Sequence, residues 1–465
     1  MNIICDADMK KADAAIVLLS GIVVLASTGA AIVIQANANP IWRIQVVDLQ
    51  GAGGKVVLDS QSIPHIFYHR EEIADIDQQP AGLYHAFFTS QGWSIEHLDL
   101  VTGNIFIMDS ENHPHVVSTS NGSIKDVPLS NPVWNVKDIG IAEVAGNTMV
   151  MASRGTLHEI SAEEIYFEGN SGYTSHLYYT TWAKSGVSVQ TIFEVNSTAK
   201  VAYQHLSPQS IILDAKSNPN IIFVEQQETW FYSKVTGSPS FITTNTVKYA
   251  VWNGSNWTVQ TLAENTGYLG GNQNFVLDSK GQPHLCYINE NRTYSEDFGS
   301  YIAKRSLEYI YFDGSMWVNQ TIESESNDYY RGQPALRLDS DGNPEVYFFK
   351  DKYQPETCFN LFHAIRAGST WNVEKIWTLT PNSYGVAGIS TITFDPSGNP
   401  RLTYATVMGT YRSAYRYGNL TFLAIDMPFT FSPLFVSTVA GCTIASLVIA
   451  LLVYLKKRKF KVKRD

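Results

Sequence analysis

The sequence predicts an all-β fold: a seven-bladed β-propeller, closed by its N-terminal strand, plus a C-terminal transmembrane helix. Six and eight blades are the alternatives. Three observations lead to this prediction: a short motif that recurs through the body, a second hairpin motif downstream of it, and an apolar stretch near each end. The 10 Trp, 25 Tyr and 22 Phe among 465 residues argue against disorder and favour strands.

The recurring motif is an apolar strand, an aspartate turn and a second strand, as in VVLDSQSIPHIFY from Val56. The aspartate is expected to cap the turn by accepting backbone N–H groups. The anchoring residues are Asp59, Asp109, Asp214, Asp278, Asp339 and Asp395. They are spaced by 50, 105, 64, 61 and 56 residues, so the spacing of 105 predicts a degenerate seventh copy near residues 145–165.

A second hairpin follows the motif in most units, as in LYHAFFTSQGWSIEHL from Leu83. Its Gly-containing turn precedes a tryptophan that opens an alternating strand, namely Trp93, Trp257, Trp317 or Trp371. Four strands in about 55 residues are typical of a propeller blade.

The phase of the repeat predicts how the ring closes. Trp42 opens a strand of the fourth type, with no blade before it, whereas the last unit stops after the strand that begins at Leu420. We therefore expect residues 42–47 to pair beside residues 420–425. In a competing phase, residues 420–425 are themselves the outermost strand.

Two stretches are apolar enough for a bilayer. Residues 434–455 lack any acidic or basic side chain, are long enough to span about 30 Å of hydrocarbon, and precede a basic tail typical of a cytoplasmic end. Residues 14–34, after two lysines, are typical of a signal peptide or uncleaved signal anchor. The predicted organisation is a signal peptide or anchor (1–38), an extracytoplasmic propeller (39–426), a linker (427–433), a transmembrane helix (434–455) and a cytoplasmic tail (456–465).

Charge and cysteine content limit the partners. Residues 39–433 hold 24 bases against 39 acids, which disfavours nucleic-acid binding because the body repels phosphate. The expected partners are the cell membrane, through one C-terminal span and a second if the N-terminal segment stays uncleaved, and an unidentified extracellular glycan or protein. Only Cys286 and Cys358 fall in the body, so one disulfide and two free thiols are both open.

Loop lengths indicate the working face. The longer connections, including residues 225–247 and 289–306, all emerge on one face of an up-and-down blade, whereas both chain ends leave from the other. The long-loop face is therefore expected to point away from the membrane. Its aromatic and polar residues are the ligand-binding candidates, unless they only pin their own loops: Trp230, Tyr268, Tyr294, Tyr329, Tyr330, Arg331, Tyr353 and Tyr384.

These motifs resemble the repeats of archaeal and bacterial surface β-propellers and, more distantly, sialidase-type Asp-box propellers. The resemblance covers residues 41–426 and implies architecture. It does not carry over catalysis, because the serine two positions before the aspartate is absent and Pro-His replaces the usual Gly-x-x-Trp ending. No cofactor is implied.

Other polar residues favour structural roles. His65, His115 and His284 share one repeat position that Asn220, Glu345 and Arg401 occupy elsewhere, which disfavours a metal site. The acids at 163 and 164 are interpreted as solvated surface.

Seven sequons mark glycosylation candidates at Asn121, Asn196, Asn253, Asn256, Asn291, Asn319 and Asn419. The first functional hypothesis is a membrane-anchored surface module that binds a glycan or an envelope polymer and has no catalytic residues of its own. The alternatives are a surface carbohydrate-active enzyme of sialidase or glycosidase type, with its site at the long-loop mouth, and a purely structural envelope protein.

Overall fold

The structure is a computed structural model. It describes residues 41–49, 51–70, 80–98, 105–108, 114–118, 123–126, 134–135, 149–152, 156–167, 172–183, 185–198, 203–232, 239–264, 274–295, 300–325, 328–352, 359–379, 386–389, 392–411 and 414–426. Residues 42–425 form one compact unit. The predicted signal segment, linker, transmembrane helix and tail lie outside the described residues. Within the described ranges, no helix is long and apolar enough to cross a membrane.

The regular elements in these ranges are β-strands, and the first three sheets each contain four in antiparallel order. Sheet 1 holds β2 (Gly51–Leu58), β3 (Pro64–Arg70), β4 (Gly82–Thr89) and β5 (Gly92–Leu98). Sheet 2 holds β6 (Ile105–Met108), β7 (Pro114–Ser118), β8 (Ser123–Asp126) and β9 (Trp134–Asn135). Sheet 3 holds β10 (Met149–Met151), β11 (Leu157–Tyr166), β12 (Gly172–Ala183) and β13 (Gly186–Thr198), and β10 and β11 are the degenerate copy expected at residues 145–165.

The next three sheets repeat this order. Sheet 4 holds β14 (Tyr203–Leu213), β15 (Pro219–Tyr232), β16 (Pro239–Trp252) and β17 (Trp257–Glu264). Sheet 5 holds β18 (Phe275–Leu277), β19 (Pro283–Ser295), β20 (Ser300–Phe312) and β21 (Trp317–Glu325). Sheet 6 holds β22 (Asp328–Leu338), β23 (Pro344–Lys352), β24 (Phe359–Ala367) and β25 (Thr370–Leu379). The described residues therefore include six four-stranded propeller blades.

The last sheet has five strands and joins the two ends of the unit. It holds β26 (Val386–Ile389), β27 (Thr393–Phe394), β28 (Pro400–Tyr411), β29 (Ala414–Asp426) and β1 (Ile41–Asp48). The N-terminal strand β1 is hydrogen-bonded beside β29, so the predicted pairing of residues 42–47 with 420–425 is confirmed and the competing phase is wrong.

The aspartates shape the turns between the first two strands of the sheets. Asp59 Oδ1 accepts the backbone N–H groups of Gln61 (2.9 Å) and Ile63 (2.8 Å). The residue three positions after the aspartate has positive φ, which favours glycine, and it is Gly281, Gly342 or Gly398 in three of the turns. Equivalent caps are made by Asp214, Asp278, Asp339 and Asp395, whereas Asp109 lies outside the described residues.

Tryptophans lock neighbouring sheets together. Trp257 of sheet 4 packs edge-on against Tyr179 of sheet 3, with ring centroids 5.2 Å apart. Its Nε1–H donates to Gln190 Oε1 of sheet 3 at 3.0 Å. The same edge-on contact recurs between Trp317 and Tyr249, Trp371 and Tyr309, and Trp93 and Phe422. The last of these joins sheet 1 to the five-stranded sheet, so the succession of sheets closes on itself.

We call the contact between two neighbouring sheets a seam. Two seams carry an ion pair at equivalent positions of their strands. Lys350 Nζ of sheet 6 lies 2.7 Å from Glu323 Oε1 of sheet 5. Arg70 Nε of sheet 1 lies 2.7 Å from Asp48 Oδ2 of β1. Both acids stand six residues after the tryptophan that opens their strand, and both cations six residues after the proline that opens theirs. Strand β1 thus takes the place that β21 has in sheet 5.

The closing seam is tightly packed. Gly51 lies so near β29 that an added Cβ would stand 2.8 Å from Leu420 Cβ. The Thr403 hydroxyl donates to Gly54 O at 2.7 Å across the same seam. Val47 of β1 is buried in the cluster that contains Leu420 and residues of sheet 1.

Strand direction assigns both ends of the unit to one face. We call the face where the second and third strands of a sheet are joined the hairpin face, and the opposite one, with the aspartate turns, the turn face. Gly51 pairs with Arg70 at the hairpin face, so β1, which leads into β2, begins at the turn face. Ala424 pairs with Arg401 beside the Asp395 turn, so β29 ends there too.

Long loops were expected at residues 225–247 and 289–306, but the described parts of both segments are strands. β15 and β16 pair without interruption from Asn220 and Val251 out to Tyr232 and Pro239, and β19 and β20 pair out to Ser295 and Ser300. The β-branched and aromatic residues of these segments suit a strand, and pairing satisfies backbone groups that a loop would leave to water. The hairpin face therefore carries long two-stranded ribbons.

Replacing Asp48 with Asn is expected to lower the free energy of unfolding by about 3 kcal/mol, because the substitution leaves the mostly buried Arg70 guanidinium without its carboxylate. Glu323→Gln should give a similar loss, since Glu323 has the equivalent place beside Lys350. The control is Glu194→Gln, an exposed partner of His176, which should stay within about 0.5 kcal/mol of the parent. Urea denaturation measures all three. An Asp48→Asn protein as stable as the control would contradict the closure role.

Candidate functional site

The structure places the predicted ligand-binding residues on strands or outside its described ranges. Trp230 lies on β15 and Tyr294 on β19, both near the ends of hairpins. Tyr329, Tyr330 and Arg331 lie on β22 rather than on a loop. Tyr330 is half-buried against Phe348, with its hydroxyl 3.5 Å from Glu323 O. Three of the predicted residues fall outside the described ranges: Tyr268, Tyr353 and Tyr384.

A different group converges at the hairpin end of the seam between sheets 3 and 4. Glu164 and Tyr166 stand two residues apart on β11, so their side chains share one face of the sheet. Tyr173 pairs directly with Tyr166, which puts its ring on the same face. His205, on the innermost strand β14 of sheet 4, meets this face from across the seam. These four residues form what we call the seam site.

The seam site is held by a chain of polar contacts. The Glu164 carboxylate binds His205 Nδ1 through Oε1 and accepts the Tyr166 hydroxyl through Oε2 at 2.7 Å. The Tyr173 hydroxyl lies 3.2 Å from His205 Nδ1. Beneath them the backbone N–H of Leu206 donates to Ser175 Oγ at 3.1 Å, which fixes β14 against β12.

The seam site opens to solvent through one aromatic ring. Tyr166 is 64% exposed although its ring lies 5.3 Å from that of the buried Tyr173. His205 and Glu164 keep 35% and 28% of their side chains exposed. An exposed ring flanked by a carboxylate and an imidazole offers a stacking surface with hydrogen-bonding groups at its edge.

Burial sets the protonation of the tyrosine beneath the site. Burial, together with the negative charges of Glu164 and Glu228, raises the pKa of Tyr173 to about 12. Tyr173 is therefore a neutral hydroxyl at physiological pH.

Four other acidic side chains of the hairpin face form ion pairs. Besides the Asp48–Arg70 and Glu323–Lys350 pairs, Glu225 Oε2 lies 3.2 Å from Lys248 Nζ and Glu290 Oε2 lies 2.5 Å from Arg305 Nε. A glycosidase uses two carboxylates that flank the scissile bond. These four carboxylates are occupied by cations instead.

The repeat position of the histidines serves contacts within single sheets. His65 Nδ1 lies 3.0 Å from His85 Nε2, and His284 contacts the Tyr309 hydroxyl. Asn220 Oδ1 accepts the Tyr249 hydroxyl at 2.6 Å, and Arg401 pairs with Asp395. In the part of the chain that the structure describes, no group of His, Cys, Asp or Glu could hold a metal ion. His115 has no described side chain.

Glu345 takes the same repeat position in sheet 6 and anchors a buried ion cluster. His363 Nε2 lies 3.1 Å from Glu345 Oε2, and His363 Nδ1 lies 3.7 Å from Glu374 Oε1. Burial alone would lower the pKa of His363, but the two carboxylates outweigh it and raise that pKa above its ordinary value. The two carboxylates therefore favour the protonated form of His363.

The structure describes the side chains of four glycosylation candidates and of one of the two cysteines in the body of the chain. Asn196 is exposed and its Oδ1 accepts the Thr174 hydroxyl, on the face of sheet 3 opposite the seam site. Asn253, Asn256 and Asn319 are exposed, whereas the side chains of Asn121, Asn291 and Asn419 lie outside the described part. Cys286 is a fully buried free thiol.

Sequence reasoning missed the seam site because its members lie on two sheets. Glu164 and His205 are 41 residues apart, and Glu164 was interpreted as a solvated acid. A usable signal was present in the alternation of Glu164 and Tyr166, which places a carboxylate and a ring on one face. No pattern within a single unit indicates which neighbouring strand meets that face.

No family model and no curated protein matches the sequence. Among solved structures, an ulvan lyase of polysaccharide lyase family PL25 bound to -[GlcA(1-4)Rha3S]- is similar, with a TM-score of 0.51 and 11% identity over 81% of this chain and 95% of that chain. This likeness shows that the two chains share a fold.

Weaker similarities involve two other proteins. An alpha-L-arabinofuranosidase from Fusarium graminearum has a TM-score of 0.35 and 9% identity over 82% of this chain and 97% of that chain. A neuraminidase-like protein of A/flat-faced bat/Peru/033/2010 has a TM-score of 0.36 and 10% identity over 84% and 96%.

The His363 cluster predicts a loss of stability at alkaline pH. Because the folded pKa is raised above 6.5, the stabilisation is complete below about pH 6.5 and disappears as the pH rises through the folded value. His363→Gln should therefore be less stable than the parent near pH 6, and the difference in melting temperature should shrink near pH 9. Calorimetry at the two pH values checks this. A difference that is unchanged or larger at pH 9 would contradict a protonated His363.

Proposed function

We propose that this protein is a membrane-anchored cell-surface propeller that binds glycans at the hairpin face. The seam site is the observation that carries the proposal. Its exposed Tyr166 ring can stack on the apolar face of a sugar, while Glu164 and His205 can accept hydrogen bonds from sugar hydroxyls. Tyr173 and Ser175 hold these groups in place from below, so little ordering is needed on binding.

The shared fold supports a glycan ligand by analogy. The similar ulvan lyase acts on a polysaccharide, and its structure holds a fragment of it. Fold alone does not transfer an activity, so the seam site carries the argument.

The proposal also covers the number of blades and the orientation of the propeller at the membrane. The five-stranded sheet is the seventh blade, in which β26 and β27 together form the innermost strand and β1 the outermost. Residues 434–455 anchor the ring in the membrane, and residues 1–38 are a signal peptide or a second anchor. Since both ends of the ring start from the turn face, the hairpin face points outward from the cell. A glycan on Asn196 would project from the opposite face of sheet 3 and leave the seam site open.

A second candidate is a surface carbohydrate-active enzyme. His205 lies between the Glu164 carboxylate and the neutral Tyr173 hydroxyl, an arrangement that can accept and return a proton. Four other carboxylates of the hairpin face are held in ion pairs, which favours binding over hydrolysis.

Tyr166→Ala and Glu164→Gln should each weaken glycan binding at least tenfold, because the first removes the stacking surface and the second the charged acceptor. A glycan array probed with residues 39–433 identifies the ligand, and titration calorimetry measures the change. The matched control is Met316→Ala, an equally exposed apolar residue on a turn of the opposite face, which should bind as the parent does.

Each result separates the candidates. Binding that Tyr166→Ala leaves intact would reject the seam site. Release of reducing ends from the bound glycan, abolished by His205→Ala, would establish the enzyme instead. A protein that binds no glycan on the array would favour the structural role.

The membrane proposal predicts a simple fractionation result. The full chain should resist carbonate extraction from membranes, whereas a chain that ends at residue 433 and begins after residue 38 should be recovered as soluble protein, because both apolar segments are then missing. Restoring residues 434–465 alone should return it to the membrane. Carbonate-soluble full-length protein would contradict the anchor.

A further inference from the structure

The charge of the seam site indicates which glycans it takes. Glu164 lies within it, and Glu228 is close enough to raise the pKa of Tyr173 through its charge. The lysine of the same seam is already neutralised: Lys248 Nζ lies 3.2 Å from Glu225 Oε2 and 3.1 Å from Thr261 Oγ1. The Lys248 ammonium also stands over the Phe193 ring at 5.2 Å.

An acidic sugar would therefore meet carboxylates without a free cation among the described groups of this seam. Two like charges at close range repel, and they repel more strongly in the partly buried surroundings of a protein surface than in water. A uronate or sulfate usually requires a bidentate arginine or a lysine to offset its desolvation. The described seam residues offer Tyr166, Glu164 and His205 instead.

Uncharged sugars suit the same groups. Hydroxyl groups donate to carboxylate oxygens in charge-assisted hydrogen bonds, and the Glu164 carboxylate keeps more than a quarter of its surface open for them. The exposed ring of Tyr166 gives the apolar face of a hexose a surface to cover.

We propose that the seam site selects uncharged sugar residues and rejects uronate and sulfated ones, unlike the acidic polysaccharide fragment in the similar lyase structure. This inference rests on the proposed glycan binding and adds its ligand class. Glu164 is the specificity-determining residue.

Matched oligosaccharides test the selection. The probes are neutral β-1,4-glucan, β-1,4-mannan and α-1,4-galactan tetramers and the same three oxidised to uronates at C6, so that each pair differs in carboxylate charge. Titration calorimetry of residues 39–433 should find a neutral member that binds at least tenfold more tightly than its uronate. Glu164→Gln should narrow that gap to less than threefold, and so should 0.5 M NaCl, which screens the repulsion.

The control removes an acid from the opposite face of the same sheet. Glu194→Gln should leave the neutral-to-uronate ratio unchanged, because Glu194 pairs with His176 away from the seam. A uronate that binds as tightly as its neutral partner, or more tightly, would overturn the inference while leaving glycan binding intact. Binding of none of the six probes nor of any arrayed glycan would overturn the proposed function and this inference with it.

Discussion

Packing between neighbouring sheets is the interaction on which the rest of the structure depends. Sheets 4 and 5 each bury apolar residues on both faces, so neither is stable without a neighbour on either side. The tryptophan that opens an outer strand fills the seam by meeting an aromatic ring of the preceding sheet. A linear array would leave two such faces bare. Strand β1 helps to cover both of these faces, because it pairs with β29 of the last sheet and places Asp48 against Arg70 of sheet 1.

The seams also create the candidate site. Their centres are apolar and tightly packed. At the hairpin ends of two of them, between sheets 5 and 6 and between the last sheet and sheet 1, paired charges fix one sheet against the next. The seam between sheets 3 and 4 differs, because its end carries an exposed ring and a carboxylate bound to a half-exposed histidine. The same packing that makes the ring rigid thus positions four side chains from two sheets without a loop.

Much of this architecture follows from local sequence, and the site does not. The aspartate turns and the Gly-x-x-Trp hairpins are determined by residues within five positions of one another, and the unpaired strand at Trp42 predicts the closure. The length of the connection predicts loops at residues 225–232 and 239–247, whereas their β-branched and aromatic residues suit the strands that the structure has there. The meeting of Glu164 and His205 depends on how two sheets dock, which no pattern in one strand contains.

Hydrogen exchange measured by mass spectrometry, with and without a saturating glycan from the array, tests whether the glycan binds at the seam site. Peptides that cover residues 162–167, 172–175 and 203–206 should exchange more slowly with the glycan, because a ligand on the seam site shields the ends of β11, β12 and β14. Protection confined to the turns at residues 253–256 and 313–316, on the opposite face, would contradict it.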